Sequence, residues 1–409
     1  MIQNFASDTG RLPSGWSRPT IAQITQNYDG LRQPVKATDR ASRQGTYPYY
    51  GASRIIDSVD DFLFDGTYLL IAEDGANLLS RSTPIAFKAT GRFWVNNHAH
   101  IVQTTVECDL DYLRYYLNGL DIVQYVSGSA QPKLTQKALN RIPIPLPLPN
   151  EQRRIVAKLD SLLSNSKSAR EELAHIPRLV ERYRGALLAA AFRGDRSWRQ
   201  TTLGALSTDV RYGTATKCHY EPKTTPVLRI PNVVNGRIDL SDLKYGSFSK
   251  QEAEKFALKA GDLLVIRANG SLDLVGRAAL VPKKIAGHLF AGYLIRIRLD
   301  SRQVCPAFVQ YVFDEPSIRK HIESLAKSTS GVNNINSEQL RSITLRIPSL
   351  EEQKAIVEKI QSAFSSIDHL RDEALRANAL LDRLDQSTLA KAFRGELLKQ
   401  ETPRALSTG

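Results

Sequence analysis

The sequence predicts an α+β protein built as an internal duplication. Two similar domains, each a twisted β-sheet with short helices, are separated by two long helices that pair as an intramolecular antiparallel coiled coil. Three observations carry this: two helical stretches repeat without a gap, both are entered and left through similar segments, and the intervening segments are rich in short β-type runs. At 409 residues the chain is also too long for one ordinary core.

The repeat comes first. EQRRIVAKLDSLL from Glu151 matches EQKAIVEKIQSAF from Glu352, an offset of 201 residues. At that offset Arg170 meets Arg371, Glu172 meets Glu373, Arg182 meets Arg383, and LLAAAFRGD (Leu187 to Asp195) meets TLAKAFRGE (Thr388 to Glu396). Upstream, Leu139 meets Leu340, Ile142 meets Ile343 and Pro147 meets Pro348, so each helix follows a short apolar extended run and a proline turn. A proline pushes its predecessor toward extended geometry, and Glu151 and Glu351/Glu352 suit the positive end of a helix.

Within the first helix, apolar spacing of four and three selects Ile155, Leu159, Leu162, Ser166, Ala169, Leu173, Ile176, Val180, Tyr183, Leu187 and Ala190 as one seam. The partner seam is Ile356, Ile360, Ala363, Ile367, Leu370, Ala374, Ala377, Leu381, Leu384, Thr388 and Lys391. A seam sustained over about five heptads needs a partner, and the other copy supplies one. Pro177 should kink the first helix only, because Asn378 holds the same place in the second. Leu163, Leu188 and Leu380 lie off the seam and either complete it or face a partner.

The domains follow. LPSGWSRPTIAQI (Leu12 to Ile24) resembles DRSWRQTTLGAL (Asp195 to Leu206), aligning Trp16 with Trp198, so the second domain is the longer one. Short β-rich runs with Gly and Asn turns fill both: FDGTYLLIAEDG, RFWVNNHAHIVQ, PVLRIPNVVNG, GDLLVIRANGS and GYLIRIRL. A helix is expected near the end of each, over DLDYLRYYLNGL (Asp109 to Leu120) and PAFVQYVFDEPSIRKHI (Pro306 to Ile322). The boundaries read as 1–149 and 196–348 for the domains, with 150–195 and 349–409 for the helices.

Net charge is +13, which suits a polyanion partner. Residues 196–348 carry 23 basic against 13 acidic side chains, whereas residues 1–149 carry 14 against 13. Candidate nucleic-acid contacts in the first domain are Arg43, Gln44, Tyr47, Tyr49, Tyr50, Ser53 and Arg54, with Gly45 and Gly51 allowing close backbone approach. In the second they are Arg211, Tyr212, Thr214, Thr216, Lys217, Arg229, Asn232, Arg267, Asn269 and Ser271. Arg and Asn can bond guanine and adenine edges, while Lys, Ser and Thr more often hold phosphates. The second domain is therefore expected to dominate the salt-sensitive part of binding.

Other functions find little support. No run of about 18 apolar residues could cross a bilayer, and the amino terminus lacks a secretory pattern, so a cytoplasmic protein is expected. Cys108, Cys218 and Cys305 are far apart and suit neither a disulfide framework nor a zinc ribbon. There is no Asp-Pro-Pro-Tyr or Asn-Pro-Pro-Tyr type tetrapeptide for amino-methylation and no Gly-rich loop followed by Lys-Ser/Thr. His98 and His100 alternate on a strand but make only two possible metal ligands, and Asp239, Asp242 and Lys244 read as a turn rather than a nuclease set. No catalytic or metal residue is assigned.

Taken together, the entries at Trp16 and Trp198, the exits GSAQPKLTQKALNRIPIPLP and STSGVNNINSEQLRSITLRIP, the EQxxIV helix starts and the two AFRG endings make the chain resemble the specificity subunit of type I restriction-modification enzymes. The resemblance spans nearly the whole chain. It implies a non-catalytic subunit in which each domain, as a target-recognition domain, reads one half of a bipartite site in double-stranded DNA. The helix pair would set the spacing and dock two modification (methyltransferase) subunits, with restriction (translocase/nuclease) subunits beyond. It implies no cofactor in this chain, with S-adenosylmethionine, ATP and Mg on the partner subunits. A seam from Ile155 to Ala190 spans roughly 50 Å, one or two turns of B-DNA. A specificity region detached from a fused enzyme is disfavoured by the complete two-copy layout, and a protein-binding coiled-coil scaffold would select no DNA sequence.

Overall fold

A computed structural model describes residues 12–105, 107–128, 130–194, 197–222, 224–327 and 331–398. The amino-terminal segment through Arg11, Asp195, and Ser328 to Ser330 at the start of the second exit lie outside them. The chain divides into two compact units that cut across the linear order. One is Met1–Ala174 with Leu375–Gly409, and the other is His175–Ala374.

The first unit holds a six-stranded sheet in the order Thr25–Asn27, Ala99–Thr104, Phe64–Ala72, Ala86–Val95, Tyr47–Tyr50, Ile55–Val59. Neighbours are antiparallel except Tyr47–Tyr50 beside Ala86–Val95. The helix Leu110–Gly119 packs against it, started by Asp109, whose side chain accepts from the Asp111 and Tyr112 amides. Such a cap contributes about 1 kcal/mol. Tyr112, Leu113, Tyr116 and Leu117 on that helix join Leu69, Ile71 and Val102 of the sheet in one core. The exit run returns to the entry, with Leu146 bridging Ser17 and Pro143 bridging Thr20.

The second unit repeats this plan with added pieces. Its central strands are Ala278–Leu280, Leu263–Ile266, Leu294–Leu299 and Ser207–Tyr212, in that order. Three more strands form a separate sheet, Lys244–Gly246, Thr225–Leu228 and Leu289–Phe290, and Val233–Val234 turns back on Arg237–Ile238. The expected helix over Pro306 to Ile322 is two, Pro306–Asp314 and Pro316–Ala326, because Pro316 supplies no amide to continue the first. Here the exit run is a true strand, Thr344–Ile347, paired with the entry strand Arg199–Thr202.

The two helical copies differ as Pro177 requires. The first breaks into Pro149–Leu173 and Ile176–Ala191, with Pro177 in the opening turn where its missing donor costs nothing. The second runs unbroken from Leu350 to Phe393. Pairing is antiparallel inside each unit: Arg170 meets Asp382 and Asp385, and in the other unit Arg184 meets Asp368.

Burial follows the expected seam at Ile155, Leu159, Val180 and Ile360, and partly at Leu162, Leu173, Ile176, Ile356 and Leu381. Leu370 and Leu384 are corrected: they are 63% and 55% exposed, while the half-buried Arg371 and Asp385 take the inward positions. Tyr183 likewise yields to Arg184. The seam is interrupted there rather than lost, since Ile367 and Thr388 stay buried; beside the exposed leucines Asp385 pairs with Arg170, and Asp368 with Arg184 and Arg371.

Candidate nucleic-acid interface

Each domain is held to its helices by the same set of side chains. Trp16 Nε1 donates to Glu151 Oε2 at 3.2 Å, and Trp198 Nε1 donates to Glu352 Oε1 at 3.1 Å. The next residue in each copy is a fully buried glutamine. Gln152 accepts from the Asp109 amide and donates to the Glu107 and Pro147 carbonyls, while Gln353 accepts from the Cys305 amide and donates to Pro348. Asp109 and Cys305 are the residues that start the domain helices. The EQ pair thus fastens a domain helix to a long helix in both units.

The AFRG endings close the same brackets. Phe393 packs edge-on against Tyr112 and Tyr116, and Phe192 does so against Phe308. Gly395 (φ +71°) and Gly194 (φ +61°) lie so close to Pro13 and Trp198 that a Cβ would come within 2.5 and 2.9 Å of them. Glycine is required there twice over, by the backbone and by the contact.

The outward loops share no such pattern. In the first domain Tyr47, Tyr49 and Tyr50 form a strand rather than a loop. Tyr49 is 1% exposed, with its hydroxyl held by the Val35 amide, so it is removed from the contact set. Tyr50 packs on Phe87 and Phe93, and Tyr47 on Phe62. Arg43 pairs with Asp60 and lies over Trp94, Gln44 bonds Asp57 and the Arg40 carbonyl, and Ser53 accepts from Asn77. Arg54 is exposed, beside the half-exposed Ile55 and Ile56 on the edge strand. Gly45 serves the fold, since a Cβ there would meet the backbone of Val59 and Asp60.

His98 and His100 sit in a charge network. His100 is buried, with Nδ1 2.6 Å from Asp29 Oδ2 and Nε2 2.7 Å from the Leu134 carbonyl. Glu73 receives Arg32 at 2.6 Å and Lys133 at 3.2 Å, and His98 meets Asp74 at 2.8 Å. Asp29, Glu73 and His100 do converge as three potential metal ligands. Two protein cations already occupy the carboxylates, however, which makes this a salt-bridge network rather than a cation cage. Burial opposes ionisation of Asp29 and Glu73, but hydrogen bonds and charge from His100 and Arg32 outweigh it and hold both carboxyls below their ordinary values.

In the second domain Asn232 is fully buried; its amide ties the Arg229 amide to the Asp239 and Asp242 carbonyls, so it too leaves the contact set. Thr214 is 5% exposed and bonds Thr216, and Arg211 is held by Asp209. Those three therefore serve the fold first. Lys217 and Ser271 are exposed, and Asn269 shapes its loop by accepting from the Ser271 amide.

Two clusters do form. Arg229 pairs with Asp242 over the 64%-exposed Tyr220, which Lys244 also covers at 4.7 Å. The other joins Tyr212, Arg267 and Asn334: the Arg267 guanidinium lies 4.6 Å over the Tyr212 ring, and its Nε donates to Asn334 Oδ1. The short strands Ala268–Asn269 and Asn333–Asn334 carry it, and the 66%-exposed Tyr293 adjoins it through its carbonyl, which accepts from the Arg267 amide. Tyr220, Lys244, Tyr293 and Asn334 are absent from the candidates read from sequence. Asn334 sits in the exit segment VNNIN, which lies against QPKLT of the first exit at the offset of 201 and puts Asn334 opposite Lys133.

Comparison with known proteins agrees with the duplication. The type I restriction modification DNA specificity domain matches residues 13–178 and 208–375. The EcoKI specificity subunit of Escherichia coli K12 is 33% identical, over 97% of this chain and 93% of that protein. The StySPI specificity subunit of Salmonella potsdam is 26% identical over the same shares. Among solved structures, one from a study of complex assembly and conformational transition of the type I system has a TM-score of 0.72 at 19% identity, covering 95% of this chain and all of that one. The HsdS subunit of Thermoanaerobacter tengcongensis has a TM-score of 0.60 at 18% identity, covering 95% and 99%. At those identities the likeness shows the fold.

Proposed function

The chain belongs to the type I restriction-modification DNA specificity family, whose members are non-catalytic recognition subunits, and from that premise we propose that each domain reads one half of a bipartite site in double-stranded DNA. The paired helices fix the spacing between the halves and dock two modification subunits, with restriction subunits joining them. S-adenosylmethionine, ATP and Mg act on those partners, and the assembly works in the cytoplasm. Among the described residues, no helix is long and apolar enough to cross a membrane.

The observation that carries this reading is the contrast between brackets and loops. Trp–Glu bonds, Gln–cap bonds and phenylalanine ring contacts repeat in both units, while the outward side chains differ in type, partner and charge. Repeated fastening with divergent surfaces is what two readers of different half-sites on one ruler require.

The test is selection from a random-spacer DNA pool by the chain assembled with its modification subunits. Two half-sites at one fixed spacing should be recovered, and a scaffold would recover none. Deleting seven residues from each helix within paired stretches should alter the spacer and leave both half-sites unchanged. An unchanged spacer would refute the ruler.

A further inference from the structure

We infer that Arg267 is a specificity-determining residue that reads a guanine in the half-site of the second domain; this rests on the reading of that domain as a DNA reader. The argument begins with backbone equivalence. The Leu134 amide donates to the Glu73 carbonyl at 2.7 Å, and the Ile335 amide donates to the Arg267 carbonyl at 2.9 Å. Leu134 and Ile335 are themselves partners at the offset of 201. Glu73 and Arg267 therefore stand at one place in two copies of the domain, on the strand that leaves LLIA in one and LLVI in the other.

What surrounds that place differs. Glu73 is 9% exposed and consumed by Arg32 and Lys133. Arg267 is half-buried, its guanidinium carbon over the Tyr212 ring, with Nε engaged by Asn334 at 3.2 Å. Tyr212 is fixed in turn, since its hydroxyl accepts from the Ser337 amide at 2.9 Å. The ring and the amide hold the plane of the guanidinium, and its two terminal nitrogens have no protein partner among the described residues.

Two parallel N–H donors in a fixed plane match guanine O6 and N7, whereas adenine puts its own amino donor at the same edge. A phosphate contact needs no such platform and is usually made among other cations. Here the adjoining groups are an amide, a ring and a backbone carbonyl, those of Asn334, Tyr212 and Tyr293. Asn334 and Tyr212 act as positioning residues.

The experiment uses the chain assembled with its modification subunits, and the site it selects, with each base pair of the second half-site replaced in turn. Arg267→Ala should lose discrimination at one G·C pair, on the order of 10- to 100-fold, leaving the first half-site and the other positions unchanged. Arg267→Gln should move the preference at that pair toward adenine, a gain that misfolding cannot imitate. Tyr212→Phe should retain guanine preference, because the ring persists, and Tyr212→Ala should relax it at the same pair. Uniform weakening at all positions with a shallower salt dependence would make Arg267 a phosphate contact and overturn the inference, as would an unaltered profile for both Arg267 variants. Should the unsubstituted assembly select no sequence at all, the DNA-reading function itself fails; selection of a site that Arg267 does not shape fails this inference alone.

Discussion

Replacing Gln152 by alanine should loosen the first domain from its helix by a predictable amount. The side chain is fully buried and makes three bonds: it accepts from the Asp109 amide at 2.7 Å and donates to the Glu107 and Pro147 carbonyls at 2.8 Å. Glu107 is exposed, so water can replace its bond. The Asp109 amide and the buried Pro147 carbonyl have no such recourse, and each buried polar group left unmet costs about 1–3 kcal/mol. The expected loss is about 2–6 kcal/mol, a large part of the roughly 5–15 kcal/mol typical of a domain. Urea unfolding of the full chain measures it, and hydrogen exchange should rise first across the helix Leu110–Gly119. Gln152→Glu should be no milder at neutral pH, because its carboxylate faces two carbonyls, and it should recover in part when acid returns a donor. A loss below about 1 kcal/mol with exchange unchanged in that helix would refute the bracket.

Three further outcomes follow from the same geometry. Gly395→Ala should cost about 1–3 kcal/mol, since a left-handed alanine is strained and its Cβ would sit 2.5 Å from Pro13; faster proteolytic release of the helix end reads it. Asp29 and Glu73, held below their ordinary values of 3.8 and 4.5, add stability that is complete above those values and lost as pH falls through the lower folded ones. Exchange protection of the strand Ala99–Thr104 should therefore drop below about pH 4, and His100→Gln should flatten that fall. Lys217→Glu should reduce the salt slope of DNA binding by about one counterion or more, and Arg54→Glu by less; equal effects would count against the second domain as the main phosphate binder.

The architecture was legible because the duplication is written in residues that make internal contacts. Trp16, Trp198, the EQ pairs and the AFRG endings recur in sequence since each fills a buried geometric role, and the structure assigns those roles one by one. The break at Pro177 was legible for the same local reason. The exposure of Leu370 and Leu384 was not, because apolar spacing alone does not reveal that ion pairs of Asp368 and Asp385 interrupt the seam beside them. Contact residues were least legible. Composition selects Tyr49 and Asn232 as readily as Arg54 and Lys217, yet the first two are buried in service of the fold. An arginine's availability depends on which carboxylate folds beside it, and Asp60 beside Arg43 or Asp242 beside Arg229 is a tertiary fact.

The charge imbalance between the domains acquires a local meaning from this. In the first domain Arg40, Arg43 and Arg92 each face an aspartate, and Lys133 faces Glu73, so near-neutral composition becomes near-neutral surface. The second domain also pairs many of its arginines, with Asp209, Asp242, Asp262 and Asp314 all engaged. Its excess therefore rests on lysines such as Lys217 and on arginines left partly open, such as Arg267. Substituting Glu73 for its counterpart, or the reverse, would not simply exchange charge between copies. Arg267 needs Tyr212 beneath it and Asn334 beside it, whereas Glu73 needs Arg32 and Lys133, so each reader's chemistry resides in a set of residues that can diverge only together. The brackets, which touch none of these sets, allow that divergence without loss of the frame.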